Sequence, residues 1–354
     1  MLKKILGLIF LFTALISCDR KPLYLQGDCM INVNITTQAA VESYIDDYWK
    51  DGWRDSLIFD WGKTGKPLGY TFPDSVNFMI FDNGALRKER LKTNKRQLVD
   101  ILLNRSYNFL IYNETPTINA DYIGGRYYIE TPKIGSKTTV LDNNYETVEQ
   151  PGEVFSTYVQ NVYLSDDVSQ YEEIYENDKL VYVYNIDAAI KPVSYIYIIQ
   201  FIIVNDDHTV IEASDISDFT ISGISIRKNL FNCNASYTGR KQIKTTTVEE
   251  GQFIADSLVF ASRVTLLDIL PKDDEASWDS YNSYLFYTGI DIETHTYGTV
   301  SGIIDITKQL NSNPKGGIIT IRILNSEIKD AGGSGDGQIG IDVNEWYDHH
   351  IDIE

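Results

Sequence analysis

Tyr195-Ile196-Tyr197-Ile198-Ile199-Gln200-Phe201-Ile202-Ile203 is the stretch that decides the fold. Apart from Gln200, every side chain in it is β-branched or aromatic. Such side chains lose rotamer freedom in a helix and pack well on a pleated surface. The run therefore reads as a strand, closed by the Asn205-Asp206-Asp207 turn. Further strands are expected at 76–81, 107–112, 180–186, 219–226, 258–264, 284–292, 299–306 and 317–324. The last alternates through Ile319, Ile321 and Ile323, and Asp82-Asn83-Gly84 is a strong turn signal after the first. The 24 tyrosines suit a sheet with one half-exposed face.

Strands at this spacing, with no helical pattern between them, predict a mainly β chain of antiparallel sandwiches. A parallel α/β sheet would need helices between strands, and one short N-terminal amphipathic helix is visible. Val41, Tyr44, Ile45, Tyr48 and Trp49 form its apolar face. Thr36 or Thr37 can cap it, and Gly52 ends it. Glu42, Asp46 and Asp47 on its polar face would be repelled by anionic headgroups. The helix is therefore expected to pack on the first sandwich.

The N-terminus has the proportions of a signal peptide. Lys3 and Lys4 precede an apolar run over 5–16, shorter than the about 20 residues that span a bilayer. Leu15-Ile16-Ser17-Cys18 resembles the lipobox of bacterial lipoproteins. That resemblance implies cleavage after Ser17 and diacylglycerol on Cys18, which attaches the mature chain to a membrane. Two or more acyl chains hold firmly, at about 0.8 kcal/mol per buried CH₂. The expected organisation is a signal peptide over 1–17, a tether over 18–28, and β domains over 29–175 and 176–354. The boundary falls in the acidic stretch 165–178, with Asp166-Asp167 and Glu172-Glu173.

A formal net charge of −19 makes the surface a poor partner for nucleic acid or anionic lipid. A hydrophobic content of 43% is enough for real cores. With Cys18 lipidated, Cys29 and Cys233 form a candidate disulfide, or are two unrelated small hydrophobes.

The search for chemistry finds little. His208, His295, His349 and His350 lack metal-ligand spacing. Gly332-Gly333-Ser334-Gly335-Asp336-Gly337 is neither a nucleophile elbow nor a phosphate loop, and reads as a flexible hairpin loop. Trp49, Trp53, Trp61, Trp278 and Trp346 read as core anchors rather than a sugar platform. No catalytic residue, metal or cofactor is expected, and the chain is not expected to be an enzyme.

Several segments, in order, carry a wider resemblance. They are Trp49-Lys50-Asp51-Gly52-Trp53-Arg54, Phe59-Asp60-Trp61, Gly69-Tyr70-Thr71-Phe72-Pro73 and Tyr107-Asn108-Phe109-Leu110-Ile111-Tyr112-Asn113. Further on come Pro192-Val193-Ser194-Tyr195-Ile196-Tyr197, Thr220-Ile221-Ser222-Gly223 and Val343-Asn344-Glu345-Trp346. This order resembles an uncharacterised lipoprotein family of Bacteroides-like bacteria in the fimbrillin-like superfamily, near the minor fimbrial anchor subunits. The resemblance implies two tandem transthyretin-like antiparallel β-sandwich domains and association with other fimbrillin-like subunits by β-strand addition. It implies an outer-membrane location, surface-exposed or periplasmic. Surface export in this phylum usually goes with an acidic run after the lipid cysteine, whereas here Asp19 is followed by Arg20 and Lys21. The rival class is a lipid-anchored surface protein for glycan or nutrient capture.

The C-terminus supplies a candidate strand-exchange segment. Ile339, Ile341 and Val343 alternate with Gly340, Asp342 and Asn344, and Trp346 just beyond is large enough to plug a sandwich end. This strand either completes its own domain or meets a neighbour. The first is favoured, because an anchor needs to receive a strand more than to give one.

Overall fold

The computed structural model describes residues 29–35, 45, 49, 51–93, 97–98, 103–140, 143–176, 178–206, 213–236, 241–245, 251–269, 284–292, 300–326 and 338–341. Among these the chain is mainly β, with two short helices, α1 (Trp53–Ser56) and α2 (Thr307–Ser312). It forms two compact units that interleave along the sequence. One takes Met1–Thr36, Asp74–Ile111 and Tyr158–Ala188, and the other takes Thr37–Pro73, Tyr112–Thr157 and Ala189–Glu354. The chain passes between the two units several times. The reason is strand pairing between segments far apart in the chain, which loop composition does not reveal.

In the first unit, β1 (Cys29–Ile35) lies parallel to β12 (Lys179–Ala188). The sheet order is β11 (Glu172–Glu176), β12, β1 and β4 (Gln97–Leu98). A second sheet places β10 (Phe155–Leu164), β5 (Arg105–Tyr112), β2 (Val76–Asp82) and β3 (Ala85–Thr93) side by side. Between β2 and β3, Asn83 and Gly84 have φ of 49° and 79°. Two successive positive φ values make the hairpin turn whose twist matches the strands, and Asn-Gly reaches it at little cost. Phe78 of β2 stacks on Phe109 of β5 with centroids 5.1 Å apart.

In the second unit, the decisive stretch is β14 (Tyr195–Val204), inside the order β20 (Gln252–Ile254), β21 (Ser257–Leu266), β14, β25 (Gly317–Leu324). The facing sheet runs β26 (Gln338–Ile341), β24 (Val300–Asp305), β23 (Tyr284–Ile292), β15 (Ala213–Ser222), β19 (Lys241–Thr245), β9 (Asn143–Val148), β8 (Lys133–Val140). Ile199, Phe201 and Ile203 meet Phe219, Ile221, Ile243 and Ile304 in one core, so the two sheets form a sandwich. A smaller sheet holds β18 (Ala235–Ser236), β17 (Arg227–Asn229), β7 (Arg126–Glu130) and β6 (Asn119–Ile123). Two short pairs complete the unit. One is β16 (Ile224–Ser225) with β22 (Asp268–Ile269), and the other is the start of β10 with β13 (Lys191–Pro192). Most pairings are antiparallel, but β1–β12, β14–β25, β19–β9 and β24–β26 are parallel.

The other face of β14 is also covered. Ile196, Ile198 and Ile202 pack with Trp49, Phe59 and Trp61, and all of β14 except Val204 is buried. Burial on both faces explains why the stretch shows no polar alternation. Of the helix expected over 41–49, only Ile45 and Trp49 are among the described residues, and Trp49 N–H donates to Ile45 O at 2.9 Å. The packing of these two residues corrects the expectation: they belong to the second unit and cover β14, not the first sandwich. The physical cause is the isoleucine face of β14, which has to be kept from water and which Trp49 and its neighbours supply with apolar cover. Gly316, with φ +101°, allows the close fit, because a Cβ there would lie 2.8 Å from Trp49 Nε1 and 2.5 Å from Ile196 O.

Gln200, the polar interruption in the run, is an anchor. Its Oε1 accepts from Ile58 N–H at 3.0 Å, and its Nε2 donates to Thr320 Oγ1 at 2.8 Å and to Ser56 O. Gln252 clasps Asp60 in the same way, accepting from its N–H at 2.8 Å and donating to its C=O at 3.1 Å.

Candidate functional site

The C-terminal segment singled out from the sequence is placed in part. Ile339 and Ile341 lie in β26, which pairs in parallel with β24, Gly302 opposite Ile339 and Ile304 opposite Ile341. The strand sits at the rim of its own sheet, with β24 as its strand neighbour. Val343 and Trp346 lie outside the described residues, as do Cys18, all four histidines, Trp278 and the 332–337 loop. Cys29 is in β1, with its side chain outside the description. Cys233 is an exposed free thiol with φ 58°. Trp49 and Trp61 are buried, as core anchors should be.

The most concentrated polar chemistry was not legible in the sequence. Lys228 on β17 has a side chain with 0% exposure. Its Nζ lies 3.0 Å from Asp268 Oδ2 on β22 and 3.0 Å from both Val193 O and Leu267 O. Tyr195 Oη is 3.1 Å away, and the same ring faces the ammonium with its centroid at 4.2 Å. Burial alone pulls the ammonium downward in pKa, but Asp268 and Tyr195 outweigh it and the net shift is upward. Three N–H donors among four oxygens keep the group charged and fully engaged. An ammonium so held is neither a nucleophile nor a ready proton donor, and it ties β17 and β22 to the start of β14. Arg227-Lys228-Asn229 carries no local signal for this, since such triplets usually sit on solvated turns.

A second network clamps a loop. Arg263 Nη2 donates to Glu153 Oε1 at 2.6 Å and to Gly69 O at 2.9 Å, and its Nε donates to Leu68 O at 3.3 Å. The Tyr70 hydroxyl donates to Ser194 O at 3.1 Å, and burial pushes its pKa well up. Among the described residues no group of three or more His, Cys, Asp or Glu side chains is placed to hold a metal ion. No helix among them is long and apolar enough to cross a membrane.

No family model matches this chain. No curated protein matches it either. Among solved structures, a candidate adhesin from Bacteroides ovatus is 10% identical over 92% of this chain and 97% of its own, with a TM-score of 0.45. The fimbrial anchor protein Mfa2 from Porphyromonas gingivalis is 11% identical, with coverage of 84% and 90% and a TM-score of 0.42. A candidate polysaccharide-binding protein from Bacteroides thetaiotaomicron is 9% identical, with coverage of 84% and 91% and a TM-score of 0.44.

Proposed function

We propose that this chain is a lipid-anchored cell-envelope protein that acts as a fimbrial anchor or accessory subunit, joining fimbrillin-like partners by β-strand addition. The observation that carries the anchoring is Leu15-Ile16-Ser17-Cys18 directly after a short apolar run. The partner class comes from the ordered segments that resemble the fimbrillin-like superfamily. The strand pattern supports the mode of association. β26 is four residues at the rim of a sheet, paired with Ser301 to Ile304 of β24, so displacing it uncovers that stretch of β24 for pairing. A subunit held by lipid cannot slide outward and ends the polymer at the membrane.

The test compares native cells carrying the natural chain with cells carrying Cys18→Ala. The natural chain is expected in membranes after a high-salt wash, and fimbrillin-like subunits should co-purify after cross-linking. The variant is expected in the soluble fraction. Retention of the Ala variant on membranes sinks the lipid anchor. Co-purification of outer-membrane transporters in place of fimbrial subunits moves the reading to glycan or nutrient capture.

A further inference from the structure

We propose that Gln309 guards an autoinhibited strand-acceptor edge: its amide fills the position at Thr320 where β25 would otherwise pair with β25 of a second copy of this chain. β25 ends its sheet, with β14 on one side and no strand on the other among the described residues. It is eight residues long, and Ile319, Ile321 and Ile323 are buried in the sandwich core. A long apolar edge strand of this kind is a template for intermolecular pairing unless something blocks it.

The block is a side chain that imitates a strand. Thr320 N–H donates to Gln309 Oε1 at 2.9 Å, and Gln309 Nε2 donates to Thr320 O at 2.9 Å. One donor and one acceptor are the pair of bonds that a neighbouring strand would offer. Backbone groups alternate along a strand, so the groups of Ile318 and Arg322 face the same way as those of Thr320, and those of Ile319 and Ile321 face β14. Gln309 therefore takes the middle position of the outward row. It is firmly held there. Gln309 is 3% exposed, its C=O accepts from Asn313 Nδ2 at 2.9 Å, and Asn313 O accepts from the Tyr197 hydroxyl at 2.9 Å. It sits on α2, which links β24 of one sheet to β25 of the other.

The occupant follows from symmetry. Thr320 lies at the middle of Gly317–Leu324. Two copies of this strand meeting antiparallel about Thr320 place the same patch on both partners and set Ile318 opposite Arg322, with no like charges facing. This inference does not depend on lipid attachment or on fimbrial partners.

Gln309→Ala removes both bonds and empties the position beside Thr320. The purified full-length variant is expected to form a concentration-dependent dimer in light scattering, while the natural chain stays monomeric. Gln200→Ala is the control: it also loses an amide bonded to backbone, but β14 has strands on both sides, so this variant should remain a monomer. Native hydrogen exchange gives a second readout. The Thr320 amide should exchange slowly in the natural chain, and roughly tenfold faster in Gln309→Ala at concentrations where that variant is a monomer. A Gln309→Ala variant that stays monomeric at every concentration, a dimeric Gln200→Ala, or a Thr320 amide that is unprotected in the natural chain overturns the proposal.

Discussion

Lys228 has no exposed surface and four oxygen neighbours, so its removal leaves Asp268 and two carbonyl oxygens without their cation. Lys228→Met is expected to destabilise the chain by about 3 kcal/mol, the lower end for a broken buried pair because the Asp268 side chain is 20% exposed. Chemical denaturation measures this, and a loss within error would show that water replaces the ammonium freely. Glu146 gives a pH signature. Its carboxyl is held below the usual range by hydrogen bonds from Lys241 and then Lys133, the latter at 3.0 Å. A lowered folded pKa means a contribution that is complete above the unfolded value, about 4.3, and is lost as pH falls through the folded value. Glu146→Gln should therefore melt below the natural chain at neutral pH, and the two melting curves should converge in acid. Parallel curves at every pH would remove the ion pair as the cause. Neither residue stands out in the sequence, because a charge next to a turn looks alike whether its partner is water or a distant carboxylate. Asn83-Gly84 was legible for the opposite reason, since positive φ is a property of the residues themselves.

At the scale of elements, the β26 rim is the feature to test. Removing 338–354 takes away β26 and leaves the other six described strands of the sheet in place. The truncated chain is expected to stay folded with a lower melting temperature. A synthetic peptide covering 336–346 should bind it and restore part of that loss, because the peptide re-forms the parallel ladder on β24. Outright unfolding of the truncated chain, or no rescue by peptide, would mean that the strand is not replaceable in trans. Part of the strand set is legible in the sequence: Gly317–Leu324 matches its expected bounds and β14 agrees within one residue, whereas β1, β3, β4, β6 to β11, β13, β17 to β20 and β22 carry no expectation. The 219–226 run was not continuous. Gly223, with φ 72°, breaks it into β15 and β16. Helix α2 was missed, since six residues are too few to show a helical period.

At the scale of the whole molecule, the sequence by itself determined that this chain is mainly β, where several of its most apolar strands lie, and that its N-terminus carries a lipobox-like segment. These are local properties: rotamer restriction in β-branched and aromatic runs, positive φ at Asn-Gly, and an apolar run of a given length. The tertiary structure alone decided which strands are partners and in which direction they run. β14 and β25 pair in parallel although Gln200 and Thr320 are 120 positions apart. Main-chain hydrogen bonds make such a pairing without any side-chain signature. The tertiary structure also decided that the chain would cross between its two units several times, and that Trp49 would cover the isoleucine face of β14. The sequence shows that such a face must be covered. Only the packed chain shows what covers it, because hydrophobic burial is non-directional and names no partner.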